Sequence, residues 1–438
     1  MKRRTWVAAL VVALCALAAS VFAATAVPGG KASPNRANAT TIEVFSLWSG
    51  SEKAAFLNVT AAFEAKTGIN VKYTDVRDFI PEITARLASG NPPDVAIVPR
   101  PGYIASLAKQ GVLKQIGSLG FTSAYIKARY GDAWTKYAKV GGKLYGIPAK
   151  ANSKSVIWYH PDSFKKYHFK APTTFAQLQA LTKNYKAKGL VPWAVGAGPG
   201  PSSWTLTDWF ENLYARTAGP AKYQALFTGH LPFTDKSVVN ALRLMTSIVN
   251  NKYLYHGVQG ALGMSFNDGI NAVFGPTPKA WLYYEGGFVG GIAIGQFNPK
   301  LKPGRTINWF PWPTVNAKQG KPVTVGGDYA VAFKDSPQVR TFLKYISTGA
   351  AGTIWVKTGA IISPNKQTPS TSYPNLLVRN EGKQLASAKV VLFDGSDQLP
   401  GAFGDTWGST LQNIIQHPGT SSVKKQLAAF QKKIKGKF

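Results

Sequence analysis

The side chains best able to do chemistry fall in short loops beside tryptophans. Trp48 and Glu52 flank Ser49-Gly50-Ser51, Arg100 stands between two prolines, Trp204 and Asp208 are four apart, and so are Trp281 and Glu285. Asn152, Asp328 behind Gly326-Gly327, and Asp394 and Asp397 in a Gly/Ser stretch complete the set. Flat aromatic faces beside carboxylate, amide and guanidinium groups suit a ligand with apolar C–H faces and many hydroxyls, because rings cover the faces while fixed polar groups pair with the hydroxyls. Arg100 can donate two parallel hydrogen bonds, to neighbouring hydroxyls or to a carboxylate that it holds in place. Each residue also has a plainer reading. Trp48 can be a core or rim aromatic, Trp204 and Asp208 can be a helix turn packed on a sheet, Glu52 can complement a helix dipole, and Asn152 can shape a hinge. Asp94, after Pro92-Pro93, reads as a cap at the start of a strand.

Other chemistries lack their residues. The single cysteine, Cys15, leaves no partner for a disulfide, and His160, His168, His230, His256 and His417 show no ligand spacing, which excludes a structural zinc site. No Gly-x-Ser-x-Gly elbow, His-Glu-x-x-His helix or Walker loop is present, so no cofactor is expected. A glycosidase needs two carboxylates across the scissile bond, and two of the acids above would supply them if the fold made them converge. Lys and Arg number 51 against 20 Asp and Glu, a formal charge of +31, yet charged residues are only 16% of the 438. The excess therefore comes from missing carboxylates, and the lysines are scattered rather than clustered as in a nucleic-acid binder. Few carboxylates suit a protein working in acid, where protonating a carboxylate that is ionised in the fold costs stability.

These residues need elements to place them. Lys2, Arg3 and Arg4, an apolar run from Val7 to Leu14 and small residues around Ala23 form an export signal, with Cys15 as an alternative lipid-attachment point. From Thr41 strands and helices alternate. The strand 41–46 precedes a helix with Phe56, Val59 and Phe63 on one face that closes at Gly68. A strand at 69–74, a helix through Ile83 and Leu87, a buried strand at 94–98 and a helix through Ile104 and Leu107 follow. Such β-α units imply a parallel sheet whose ligand gathers at the strands' carboxyl ends, where Trp48, Asp75 to Asp78 and Arg100 stand. Further strands are expected at 143–147, 155–159, 280–284, 307–310 and 323–333, a helix from Thr173 to Gly189, another around Asp208, and a mostly helical remainder ending in a helix basic on one side.

The order of motifs resembles the extracellular solute-binding proteins of carbohydrate ABC importers. The runs are Phe45-Ser-Leu-Trp-Ser-Gly50, Phe63-Glu-Ala-Lys-Thr-Gly-Ile-Asn-Val71 and Gly90-Asn-Pro-Pro-Asp-Val-Ala-Ile-Val98. Ala151 to Tyr159, Ser203 to Glu211 and Phe393 to Gly404 are similar to the α-glucoside-binding branch. The resemblance implies an α/β, two-lobed periplasmic-binding-protein fold of class II, the Venus-flytrap type, with a ligand cleft between lobes. The residues themselves give a signal peptide at 1–23 and a tether at 24–40, and the tether and Cys15 depart from a typical lipid-anchored member; a first lobe at 41–149 with a return segment 322–368 and a second lobe at 150–321 with C-terminal helices 369–438 complete the expected organisation. The resemblance further implies capture of an oligosaccharide, such as maltose or trehalose, by a monomer that is exported or cell-surface. The transmembrane subunits of an ABC permease would be its partner, nucleic acid would not, and no reaction would be catalysed. Trp281 stands where maltose-binding relatives place a stacking aromatic. A polyol or similar solute is the alternative ligand, and an exported glycoside hydrolase the alternative class.

Overall fold

The computed structural model describes residues 40–76, 78–198 and 202–438. The expected signal, most of the tether and Cys15 lie outside these residues. The strands are β1 (Thr41–Ser46), β2 (Asn70–Asp75), β3 (Val95–Val98), β4 (Lys139–Val140), β5 (Lys143–Leu144), β6 (Ile147–Ser153), β7 (Val156–Tyr159), β8 (Trp193–Ala194), β9 (Leu282–Tyr284), β10 (Asn308–Pro311), β11 (Val323–Ala332) and β12 (Val391–Phe393). One sheet runs β12-β11-β3-β1-β2 with β6 also on β11, and a second runs β10-β7-β9-β8. β1 pairs in parallel with β2 and β3, as expected of β-α units, whereas β11 runs antiparallel to β3 and β6.

Local sequence explains where the helices begin and end and which face they bury. Phe56, Val59 and Phe63 line the buried face of the helix Gly50–Thr67, which ends where Gly68 adopts φ 70 and its N–H returns to Glu64 O at 2.8 Å. Only a residue without Cβ takes that left-handed conformation cheaply. Thr174 and Gln177 form a capping box that starts the helix Phe175–Ala187. Apolar clusters fill both faces of each sheet. The last helix, Thr420–Ile434, docks into the second lobe's core through Val423, Leu427, Phe430 and Ile434 and leaves Lys424, Lys425, Lys432 and Lys433 in solvent. Among the described residues no helix is long and apolar enough to cross a membrane.

Two stretches differ from their expected form. Residues 148–153, read as a connection between strands, continue β6 and are fully buried, because antiparallel pairing with β11 satisfies their backbone from Ile147 to Ser153. The C-terminal remainder includes β12, which joins the first sheet alongside β11 although 369–438 was expected with the second lobe. A three-residue apolar strand carries too little periodicity to be told from a helix turn.

The crossing between sheets at Lys154-Ser155 is pinned from both sides. The Lys154 N–H donates to Thr324 O at 2.8 Å, while Lys154 O accepts from Tyr284 Oη at 2.8 Å and Asn212 Nδ2 at 2.7 Å. The Ser155 hydroxyl donates to Asn212 Oδ1 and receives the Thr324 N–H, at 2.8 and 2.9 Å.

Candidate functional site

The carboxyl end of β1 delivers Trp48 and then Glu52, on the first turn of the helix Gly50–Thr67, to the seam between the sheets. Lys150 rises from β6 to pair with Glu52, and its ammonium lies 3.8 Å from Asp328 on β11. Asp328 in turn accepts the Trp48 indole N–H at 2.7 Å. Across the seam stand Trp204, Phe266 and Phe288, all half-buried, with ring centroids 5.4 to 6.3 Å apart. The Lys150 ammonium lies 5.7 Å from the Phe288 ring, and the Lys154 ammonium 5.1 Å from the Trp204 ring. Thus aromatic faces on the second lobe meet fixed charges from the first, with the two lysines between them.

Below this lies a denser group of charges. Lys154 bridges Asp208, at 3.1 Å on the helix Trp204–Thr217, to Asp394 at the end of β12. Asp394 caps the short helix Gly395–Gln398 and also accepts from the Ser396 hydroxyl. Glu211 accepts the backbone N–H groups of Gly395 and Ser396 and the Tyr223 hydroxyl, at 2.7 to 2.9 Å. Asp208, Glu211 and Asp394 each place one oxygen within 4.8 Å of the others. The chain's own Lys154 ammonium pairs with two of the three, so it supplies the positive charge that such a cluster requires.

Burial and these neighbours set the ionisation of the group. Burial pushes Asp208 up to about 7 despite Lys154, and holds Glu211, Glu285 and Asp397 well above the usual carboxylate range. Asp394 is also buried, but Lys154 and its hydrogen-bond donors outweigh this and hold it below that range. Burial opposes the charge of Lys150 and Lys154, yet their carboxylate partners prevail and raise both.

Two glycines allow this packing. A Cβ on Gly326 would fall 2.8 Å from Lys154 Cε and 3.0 Å from Asn152 Oδ1, and one on Gly287 would collide with the Glu381 carboxylate. Glu381 accepts the Ser153 N–H at 2.7 Å, and the Gly287 N–H donates to Ser153 O at 2.9 Å. Beside this junction a cavity of about 500 Å³ opens between the lobes, lined by Ser51, Asn58, Gly291, Gln296, Thr358 and Asn375 among others. Two of its lining residues meet where Gln296 Nε2 donates to Ser51 Oγ at 3.3 Å.

The structure brings together Glu52, Asn152, Trp204, Asp208, Glu285, Asp328, Asp394 and Asp397, though not all with a face to the cleft. Arg100 joins them through a two-pronged pair with Asp405 at 2.7 and 2.8 Å and a 3.6 Å approach to Asp397, so its fork holds carboxylates. Trp48 is no free platform: it is buried, edge-on to Phe56 and Trp355 at 5.2 and 5.1 Å. Trp281 is not brought to the cleft either. It precedes β9, whose opposite end leads to Glu285 and Phe288, and it stacks on Tyr185 at 6.4 Å with its edge to His160. Asp94 accepts the Glu43 N–H at 2.7 Å, in keeping with a structural cap. Reading the residues alone passed over Lys150, Lys154, Phe266, Phe288, Glu381 and Asp405. The first two were within reach, since Lys150, Asn152 and Lys154 alternate at the period of a strand and share one face.

Comparison with known proteins accords with this geometry. The model of the family described as bacterial extracellular solute-binding protein matches residues 48–353. The osmoprotective compounds-binding protein GgtB of Synechocystis sp. is 32% identical over 90% of this chain and 92% of its own. The alpha-glucosides-binding periplasmic protein AglE of Rhizobium meliloti is 31% identical over 90% of this chain and 86% of its own. The solved bacterial solute receptor AcbH, described as having an exclusive preference for b-D-galactopyranose, superposes with a TM-score of 0.79. That match has 18% identity over 90% of this chain and 98% of that one.

Proposed function

The chain belongs to the bacterial extracellular solute-binding proteins, the sugar-binding components of ABC transporters, and from that premise we propose that it captures an α-glucoside oligosaccharide and delivers it to a membrane permease. The observation that carries the reading is the cleft's two unlike walls: Trp204, Phe266 and Phe288 on one side, Glu52, Lys150 and Asp328 on the other. Rings cover a pyranose face while charged groups of fixed orientation pair with its hydroxyls. A ligand touching both walls favours the closed arrangement by its differential contacts, and only a closed lobe pair presents one docking surface to the permease. A wrong sugar leaves buried polar groups unpaired, which makes discrimination steep. Asp208, Glu285 and Asp394 are sealed from solvent, so none of these three is presented to a glycosidic bond.

The relative named for osmoprotective compounds favours a second reading, a smaller polyhydroxyl solute in the same cleft. One panel separates the two. Maltose, trehalose, sucrose, sorbitol and glycerol are each added at millimolar concentration while melting temperature and tryptophan fluorescence are followed. A response to gluco-disaccharides is expected, and silence across the sugars sinks the proposal.

A further inference from the structure

The last helix, Thr420–Ile434, has two unlike faces. Val423, Leu427, Phe430 and Ile434 are buried where it packs on the helices Phe403–Gln416 and Lys236–Thr246, so its apolar face is already occupied. Lys424, Lys425, Ala428, Ala429, Lys432 and Lys433 are all exposed. At 3.6 residues per turn the two sets centre on opposite sides of the axis, which makes the lysines the outermost row. The two lysine pairs stand about 12 Å apart along the axis, and on that face only the two alanines separate them. Lys435 and Lys437, also exposed, extend the row. These charges are uncompensated. No acid occurs from Thr406 to Phe438, and among the described residues none of the six lysines forms an ion pair. The acids at the starts of the two supporting helices are held elsewhere: Asp405 by the Arg100 fork at 2.7 and 2.8 Å, and Asp235 by the Ser237 N–H at 2.8 Å, with Lys222 at 3.7 Å. Another lysine-rich corner differs. Lys165, Lys166, Lys186 and Lys188 are exposed too, but Asp162 is exposed beside the first two on the helix Pro161–Tyr167, and Lys166 and Lys188 each lie 5.3 Å from the Tyr167 ring.

We infer that this lysine row is a docking surface for a bilayer carrying anionic lipid, and that it holds the second lobe beside the membrane in which the transporter sits. An ABC transporter spans a bilayer, so a chain that serves one works next to lipid headgroups; the inference rests on that service and not on which solute is carried. The row is a straight ridge on the outermost side of its helix, a shape that meets a plane of phosphates, whereas a polymer thread is better held in a groove. Alanines between the lysine pairs let the helix lie close to that plane. All six cations are lysines, mobile point charges suited to a charged surface, rather than arginines, whose rigid fork singles out one phosphate. Because the apolar face is committed to the core, the helix has nothing to insert among acyl chains. The attachment is therefore electrostatic and reversible, growing with the number of lysines and fading with salt.

The test needs no sugar, so its failure is distinct from that of the proposed function. The chain from Ala24 onward, as removal of the expected signal leaves it, is sedimented with vesicles of pure phosphatidylcholine and with vesicles of which about a quarter is phosphatidylglycerol, at about 50 and 500 mM NaCl. Binding is expected with the anionic vesicles at low salt and not in the other three conditions. Lys424→Gln, Lys425→Gln, Lys432→Gln and Lys433→Gln combined in one variant should weaken it about a hundredfold. Lys165→Gln, Lys166→Gln, Lys186→Gln and Lys188→Gln combined remove the same net charge and should cost less than about threefold. All eight side chains are exposed, so both variants keep their cores, which urea unfolding checks. No binding to the anionic vesicles overturns the inference. So does an equal loss in the two variants, which would mean that the overall charge of the chain acts rather than this row. Long-chain polyphosphate bound through the same four lysines, without any binding to vesicles, overturns it in favour of a soluble polyanion.

Discussion

Replacing Glu381 with glutamine should change how stability depends on pH more than it changes stability in acid. Glu381 lies on the helix Leu376–Ser387, is buried, and accepts the Ser153 N–H beside Gly287, where three chain segments meet. Burial pushes its pKa from 4.5 up to about 8, against the Ser153 N–H and Lys150, which lower it. Because the value is raised in the fold, the stabilisation is fully present below pH 4.5 and is lost as pH climbs through 8. At about 1.4 kcal/mol per pH unit, the wild type should forfeit about 3 kcal/mol by pH 7 and about 5 kcal/mol in all. Glutamine keeps an oxygen for the Ser153 N–H and has no proton to lose. Urea unfolding at pH 4.5, 6, 7, 8 and 9 measures the gap between the two proteins. It should widen in favour of Glu381→Gln between pH 4.5 and 8 and then level off. A gap that stays constant within about 0.5 kcal/mol would show that Glu381 is ionised throughout and refute the reasoning.

The cleft makes three further predictions. Trp204→Ala or Phe288→Ala should weaken binding of the responding sugar more than tenfold, a loss above about 1.4 kcal/mol, by titration calorimetry. Unchanged affinity in both would remove the aromatic wall from the site. Trp281→Ala should lower stability by about 2 kcal/mol, through the void left against Tyr185 and His160, and leave affinity within about twofold; a large affinity loss would return it to the cleft. Lys150→Met should cost about 3 kcal/mol in urea unfolding, since Glu52 and Asp328 then face each other without the ammonium. No loss would mean that the pair is solvated rather than packed.

Much of the first lobe was legible because its signals are local. Phe56, Val59 and Phe63 recur at helical spacing and Gly68 ends their helix in the one conformation that favours glycine, so the element can be read without its neighbours. The site was legible as a set of carboxylates at strand ends, but not in its division of labour. Whether a tryptophan is platform or core depends on which end of a strand it occupies, and β9 begins one residue after Trp281, a boundary that periodicity does not resolve. Lys150 and Lys154 escaped for a different reason. Lysine is almost never buried unless paired, and their partners lie 54 to 240 residues away.

The shortage of acids gains a sharper meaning from where they lie. Six of the 20 carboxylates, Asp208, Glu211, Glu285, Asp328, Glu381 and Asp394, are buried, and they gather where the two lobes join. In five of the six, burial raises the pKa. Of the carboxyls shifted down by partners, Asp394 is buried, whereas Asp75 and Asp335 lie at the surface, where solvent screens their pairs and leaves them little influence. The two sets act in opposite directions: stability from the raised group is lost as pH rises, and that from the lowered group is lost as pH falls. The buried set should dominate, so stability should increase from pH 8 towards pH 5. Acid unfolding in most proteins comes from carboxylates that the fold needs ionised, and here the carboxyls at the junction are mostly ones whose pKa burial raises. A low acid count on the surface and raised carboxyl groups within should therefore both favour the fold in acid, and a stability maximum at pH 7 or above in urea unfolding would refute that expectation.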